Sequence, residues 1–304
     1  MNLRSKRIAF EILKWYGSHR RDLPWRRTTD PYRILISETM LQQTQVSRVL
    51  AKYPEFIERF PNLQSLARSS AGDVIRAWAG LGYNIRAIRL RKAAQLIISR
   101  FGKVPESAKH LRELPGIGRY SAHALSCFAH GRAVPVVETN VRRVLSRMFW
   151  RTSSSSFRQE ENTIWRLAGS LLHRTRPVDW NLALMDLGAA VCTARAPRCP
   201  ECPVNGHCRS AFRIRQESAS FRRQEPMHQG RPRRYYRGRI IQVLRNVNHG
   251  GWISARRLGR LVKQDFGTKD LRWLAGVLRQ LERDGLIVLH KPGRSTGLRL
   301  RLAS

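Results

Sequence analysis

Apolar residues recur at threes and fours from the start of the chain. Ile8, Ala9, Ile12, Leu13, Trp15 and Tyr16 predict a helix over 3–18. Asp22-Leu23-Pro24-Trp25 breaks it, and Asp30-Pro31-Tyr32 opens the next, with Asp30 as N-cap and Pro31 in the first helical position. That helix carries Leu35, Glu38, Met40 and Leu41 and runs toward Gln43 and Thr44. From Val46 to Ile97 helix follows helix, with breaks at Pro54, Pro61, the Ser69–Gly72 run and Gly80-Leu81-Gly82-Tyr83. Further helices are expected from Ser107 toward the turn Leu114–Gly118, from Ser121 to about His130, near Glu160 to His173, and from Trp180 to Val191, with a loop at Thr152–Ser156. No strand pattern precedes the last segment, so the first two-thirds of the chain is predicted all-α.

Residues 213–234 are polar and Arg-rich, with Pro226 and Pro232, and read as a linker. Residues 235–304 read as a separate domain. Helices are expected over 237–247, 254–265 and 270–284, then strands Leu286–His290 and Gly297–Leu302 around the turn Lys291-Pro292-Gly293-Arg294. Three helices and a basic hairpin resemble a winged helix. Its third helix, with Lys269, Arg272, Arg279 and Arg283, is the candidate for a DNA groove.

Charge narrows the function. Fifty-seven Lys and Arg oppose 21 Asp and Glu in 304 residues, a formal net charge of +36. Such an excess calls for a polyanionic partner, nucleic acid before membrane, because no long apolar span is present. Met1-Asn2-Leu3-Arg4 leads into a helical pattern with no apolar leader, so a cytoplasmic, nucleoid-associated protein is expected. Four of the five cysteines crowd into Cys192–Cys208, which in a reducing compartment reads as a metal or cluster site.

Two stretches carry candidate chemistry. At Leu114-Pro115-Gly116-Ile117-Gly118, the glycines allow positive φ and close backbone approach, and the helix after them offers unpaired N–H groups to phosphate. A bare GxG is a weak signal. Here a carboxylate, Glu138, follows about twenty residues on at another helix start, in Val137-Glu138-Thr139-Asn140. Arg86, Arg89, Arg91 and Lys92 after the Gly80–Tyr83 turn form a basic face that either meets solvent or DNA. Cys192-x6-Cys199-x2-Cys202-x5-Cys208 can bind zinc or an iron–sulfur cluster. A single CxxC, where zinc ribbons pair two, leans toward the cluster.

Taken together, LPW at 23–25, SETMLQQTQV at 37–46, WAGLGYNIRA at 78–87, LPGIGRY at 114–120, VETNVRRVLSR at 137–147, MDLGAAVC at 185–192 and the cysteine spacing resemble the helix-hairpin-helix base-excision DNA glycosylases, and within them the MutY-type adenine glycosylases. The resemblance covers residues 1 to about 212. It implies a mainly α fold: a six-helix barrel over about 26–134, and a cluster domain from 1–25 plus 135–212 holding a [4Fe–4S] cluster on Cys192, Cys199, Cys202 and Cys208. It implies Glu38 as the general acid that protonates the purine, a task that burial among Leu35, Met40 and Leu41 favours. Glu138 stands where the family places an Asp that stabilises the sugar cation. The added methylene lowers the rate or reshapes the pocket for another base. Tyr120 stands where bifunctional endonuclease III-type members carry a Schiff-base Lys, so no lyase nucleophile is present. Asn140 and Tyr120 orient the carboxylates and water. Gln43 and Tyr83 match the wedge positions that fill the gap left by an extruded base, while Thr44, Arg86, Gly116, Gly118 and Arg119 are expected at the DNA backbone.

The expected function is therefore monofunctional excision of a mispaired base, adenine opposite guanine or oxidised guanine, by a monomer acting on double-stranded DNA. The last domain is too short and too helical for the family's β-rich reader of oxidised guanine. Two other readings stand beside it: a thymine or uracil mismatch glycosylase, and a non-catalytic iron–sulfur DNA-binding regulator.

Overall fold

The computed structural model describes residues 3–150, 160–214, 227, 228, 230–247, 251–290 and 297–304. The loop expected at Thr152–Ser156, much of the expected linker and the turn Lys291–Arg294 lie outside them. The helices come nearly where periodicity places them: α1 (Leu3–His19), α2 (Pro31–Leu41), α3 (Val46–Arg59), α4 (Leu63–Arg68), α5 (Ala71–Ala77), α6 (Ile85–Leu96), α7 (Ala108–Leu111), α8 (Arg119–Phe128), α9 (Thr139–Phe149), α10 (Glu161–Ser170) and α11 (Pro177–Ala190). Asp30 caps α2 as expected, its carboxylate accepting from the Tyr32 N–H at 2.9 Å. Pro54 lies inside α3, in its third turn, without ending it.

The chain divides into two compact units: Met1–Ile34 with Pro105–Glu113 and Ile117–Arg222, and Leu35–Val104 with Leu114–Gly116 and Arg223–Ser304. In the first unit α1, α9, α10 and α11 enclose a core of Ile8, Ile12, Val141, Leu145, Trp165, Trp180 and Leu184. Asp186, fully buried on α11, accepts from Arg21 Nε at 2.7 Å and from both Arg26 terminal nitrogens at 2.7 and 2.8 Å. That carboxylate ties the segment containing LPW to the helix that leads into the cysteines. Burial pushes its pKa up, but the hydrogen bonds and charges of Arg26 and Arg21 together outweigh it and keep the carboxyl below the usual range.

In the second unit, a ribbon of β1 (Met227–His228) and β2 (Arg231–Pro232) precedes α12 (Arg233–Arg245), so the end of the expected linker is ordered. Then come β3 (Ile253–Ser254), α13 (Ala255–Val262), α14 (Leu271–Arg283), β4 (Ile287–His290) and β5 (Arg299–Leu302). The sheet order is β3–β5–β4, antiparallel throughout, with Ile253 opposite Leu300 and Ile287 opposite Leu302. Two residues of β3 are too few to show a period of two, so this strand was not legible beforehand. Among the described residues no helix is long and apolar enough to cross a membrane.

Candidate functional site

In the second unit, Glu38 sits on α2 with 4% of its surface exposed. Ile34, Leu35, Ile36, Ser37 and Met40 around it in sequence are almost wholly buried, and so is Thr39. A helix buried on all sides is enveloped by the fold. Thr39 satisfies its hydroxyl by donating to the Leu35 carbonyl at 2.8 Å, which leaves Glu38 as the acidic group of this stretch.

Arg86 departs from expectation. It belongs to no DNA-facing surface, being 6% exposed. Its Nη1 donates to the carbonyls of Thr39 and Met40, both at 2.9 Å, and of Gln42. Its Nη2 donates to Thr44 Oγ1 at 2.9 Å and to the carbonyls of Leu81 and Gly82 at 3.1 and 3.2 Å. Burial lowers its pKa to about 10, so it stays charged at neutral pH. The reason for the departure is geometric. Arg86 lies in the first turn of α6, just after a turn whose carbonyls point back at it. Arg91 also turns inward, donating to the Ser69 carbonyl at 2.6 Å, which leaves Arg89 and Lys92 exposed on this face. Thr44, expected at the DNA backbone, is likewise engaged as an acceptor from Arg86.

This one cation staples two turns, and each turn projects a non-glycine residue with left-handed backbone: Gln43 at φ 56° and Tyr83 at φ 44°. Such a conformation costs about 1–2 kcal/mol for an ordinary side chain and persists where the surroundings enforce it. Both residues are exposed, Tyr83 by 54%. Gly116 is left-handed too, at φ 85°, and accepts from Gln42 Nε2 at 3.3 Å. A Cβ there would lie 3.1 Å from Arg89 Cβ, so both conformation and space require glycine.

In the first unit, Gly118 corrects the sequence reading: at φ −85° and ψ −176° it is extended, not left-handed. It forms the N-cap of α8, gives no side-chain cap, and has nothing within 4 Å of where a Cβ would be. Arg119 turns onto α10, donating to Asn162 Oδ1 at 2.9 Å with its guanidinium 4.2 Å from the Trp165 ring centre. Tyr120, half-buried in the first turn of α8, packs on the cluster of Ala124, Cys127 and Val136. Cys127 is core, and burial pushes its thiol up to about 11.

Glu138 is the N-cap of α9. Its Oε2 accepts from the Asn140 N–H at 2.7 Å and its Oε1 from the Val141 N–H at 2.9 Å. The longer side chain has folded back to cap its own helix. Burial raises its pKa, opposed by the two N–H bonds and by the charge of Arg143. The segment before it is held by Asn181, whose Oδ1 accepts from the Val136 N–H at 2.8 Å. Gly188 lets α11 approach: a Cβ there would stand 2.6 Å from Asn140 Cβ.

Two arginines on α9 were not singled out from the sequence. Arg143, 5% exposed, donates to Asn140 Oδ1 and the Gly188 carbonyl, both at 2.6 Å, and to the Cys192 carbonyl at 2.7 Å. Arg147, 2% exposed, donates to the carbonyls of Thr193 and Ala194 at 2.7 Å and approaches Cys192 Sγ at 3.4 Å. The spacing of four on one helix was the available signal. One helix thus carries the carboxylate at its start and the support of the cysteine loop along its length.

Cys192, Cys199, Cys202 and Cys208 line one pocket. Among the described residues no three His, Cys, Asp or Glu groups converge tightly enough for a single ion. Four thiols spread around a cavity suit a multi-iron cluster better than a lone zinc, whose sulfurs crowd at about 2.3 Å from the metal. Arg147 and the Phe212 N–H, 3.4 Å from Cys199 Sγ, supply positive polarity. Burial pushes the Cys202 thiol up to about 12, a barrier to a bare thiolate that bound iron removes. The residues therefore fit the group, which when bound cross-links the loop through four thiolates. Protein purified without oxygen is expected to be brown, with about four irons per chain. Colourless protein carrying zinc would exclude the cluster.

Comparison with known proteins agrees with this geometry. Residues 36–169 match the HhH-GPD superfamily base excision DNA repair protein model, and residues 192–208 match the iron–sulfur binding domain of endonuclease III. The adenine DNA glycosylase of Mycolicibacterium smegmatis is 42% identical over 241 residues, covering 78% of this chain and 80% of its own. Human adenine DNA glycosylase is 41% identical over 216 residues, 68% of this chain but 40% of the human protein's length. A solved thermostable thymine-DNA glycosylase superposes with TM-score 0.62 at 32% identity, covering 67% of this chain and 95% of its own. An endonuclease III–DNA complex superposes with TM-score 0.60 at 21% identity, covering 69% and 97%, a likeness of fold.

Proposed function

We infer the reaction from kinship: the chain belongs to the HhH-GPD superfamily of base excision DNA repair proteins, among the adenine DNA glycosylases. It hydrolyses the N-glycosidic bond of an adenine mispaired in double-stranded DNA, opposite guanine or oxidised guanine. The observation that carries this reading is the carboxyl of Glu38, buried on the helix that opens the stretch SETMLQQTQV.

A purine leaves poorly as an anion. Glu38 gives its proton to the ring, the bond from sugar carbon to nitrogen breaks with its electrons going to the base, and the sugar becomes oxocarbenium-like. Glu138 faces that cation with a carboxylate fixed by two N–H groups, so little reorganisation accompanies the charge. Water then adds to the sugar and loses a proton, with Asn140 and Tyr120 orienting it. Tyr120 lacks the amine that a Schiff base requires, so the strand is left uncut. Gln43 and Tyr83 enter the duplex in place of the extruded base. Gly116 and Gly118 let the backbone at the start of α8 approach phosphate. Cys192, Cys199, Cys202 and Cys208 hold the [4Fe–4S] cluster. Arg86, Thr44 and Arg119 serve by positioning these elements. The exposed Lys269, Arg272, Arg279 and Arg283 of the last domain support a further DNA contact. The division into barrel and cluster domain is proposed as the resemblance implies, the winged-helix-like domain as its own pattern of helices and strands suggests, and the enzyme acts as a monomer at the nucleoid.

A second reading, thymine or uracil excision opposite guanine, is favoured by the likeness to the thymine-DNA glycosylase. Single-turnover cleavage of duplexes holding adenine, thymine, uracil or hypoxanthine opposite guanine and oxidised guanine separates the two. Adenine is expected to be released fastest, with borohydride trapping little covalent complex. Faster thymine or uracil release would install the second reading. Tight binding with release of no base would leave a DNA-binding regulator.

A further inference from the structure

The last domain shares its core with elements that lead to Tyr83. Ala71 and Ile75 of α5 and Ile88 of α6 belong to one apolar cluster with Ile241, Leu244 and Leu286. The approach is close: a Cβ on Gly72 would stand 3.0 Å from the Ala303 carbonyl oxygen and 3.7 Å from Leu302 Cβ. At the edge of this contact is Arg245, the last residue of α12. Its Nε donates to the Ile75 carbonyl at 3.0 Å and its Nη2 to Asn84 Oδ1 at 2.8 Å. Asn84 directly follows Tyr83 and occupies the N-cap position of α6, yet its side chain makes no cap hydrogen bond. Its backbone is already helical, at φ −55° and ψ −22°, which turns the side chain away from a cap. Here its oxygen is given to Arg245. Burial lowers the pKa of Arg245 to about 10, so it remains a cation whose removal from water must be matched by acceptors.

The turn so held is a demanding one. Gly80, Gly82 and Tyr83 have φ of 87°, 71° and 44°. Arg86 gathers its carbonyls from one side, and Arg245 takes the residue that ends it from the other. We propose that the C-terminal domain is a positioning element for the Gly80–Asn84 turn, and that Arg245 is the residue through which it sets Tyr83 for entry into the duplex. The domain then governs base extrusion through protein contacts, whatever it does to DNA directly. The inference rests on Tyr83 acting as a wedge, as proposed above.

The test uses the full chain. Arg245→Ala, Arg245→Lys, Asn84→Ala, the double alanine variant and Tyr83→Ala are compared on a duplex with 2-aminopurine beside the mispaired adenine. Stopped-flow fluorescence reads extrusion, and titration reads affinity for undamaged duplex. Arg245→Ala is expected to slow extrusion about tenfold, the worth of one hydrogen bond to a charged group, with duplex affinity changed less than about twofold. Arg245→Lys is expected to recover part of the rate. Asn84→Ala breaks the same bond from the other end, so the test survives if an Arg245 variant fails to fold. The double variant is expected to be no slower than Arg245→Ala alone, because Asn84→Ala removes a bond that Arg245→Ala has already removed. Fully additive losses, or a parallel fall in duplex affinity, would overturn the proposal. Wild-type extrusion in Arg245→Ala beside slow extrusion in Tyr83→Ala removes this inference alone. Wild-type extrusion in Tyr83→Ala removes the wedge reading, and the inference with it.

Discussion

Glu38→Gln is expected to reduce single-turnover adenine release by about a thousandfold or more, while affinity for the mismatched duplex stays within a few-fold. Gln keeps the size and polarity of Glu but has no acidic proton to give, and general acid catalysis contributes roughly 10²–10⁴ in rate. The substitution is mild for the fold because Gln is nearly isosteric with Glu and still offers a polar group to the same surroundings. Release and binding are measured on the same duplex, by quenched cleavage and by electrophoretic shift. Parallel loss of both would make Glu38 a structural residue and take the reaction scheme down with it. The readout is specific because Tyr83, the hairpin and the cysteine loop lie on other segments and keep their contacts in the variant.

Arg86→Met is expected to have the largest effect on stability. The methionine fills much of the space but leaves the carbonyls of Thr39, Met40, Gln42, Leu81 and Gly82 and the hydroxyl of Thr44 without the donor they now share. Buried acceptors deprived of a charged donor cost about 1–3 kcal/mol each when no water replaces it. Water and relaxation will recover part of this, and a net loss of about 3–5 kcal/mol is expected, comparable with removing one partner of a buried charge pair. Arg86→Lys should fall between, since one ammonium has three donors for six acceptors. Denaturant unfolding measures the loss. A change below about 1 kcal/mol for Arg86→Met would show that the two turns hold themselves. In any Arg86 variant that folds, the left-handed conformations of Gln43 and Tyr83 lose their support, so extrusion should slow more than duplex affinity falls.

Helix positions were legible because each buried face repeats its apolar residues within a few positions, as Ile8, Ile12 and Tyr16 do on α1. The N-cap of α2 was legible for the same reason, since Asp30 and the N–H it accepts are two residues apart. The very short β3 was not, and neither was the ribbon before α12, because two residues carry no period. The basic run after Gly82 was misleading. Arg86, Arg89, Arg91 and Lys92 look alike in the string, yet Arg86 and Arg91 collect carbonyls while Arg89 and Lys92 meet solvent.

The sequence by itself determined the all-α character of the first two-thirds, the candidate acid at Glu38, the absence of an amine at Tyr120 and the quartet Cys192, Cys199, Cys202 and Cys208. These are matters of residue identity and short-range spacing. Only the tertiary structure decided what the buried cations do. Arg86 finds its partners more than forty residues away at Thr39–Thr44, Arg143 joins Asn140 to the Cys192 carbonyl, and Arg245 reaches back to Asn84. A buried guanidinium is tolerated only where carbonyl and amide oxygens converge on it, and that convergence exists once distant segments are packed together. The same holds for Glu138: its carboxylate was readable as a letter, but its capture by the N–H groups of its own helix depends on the backbone that the fold imposes there.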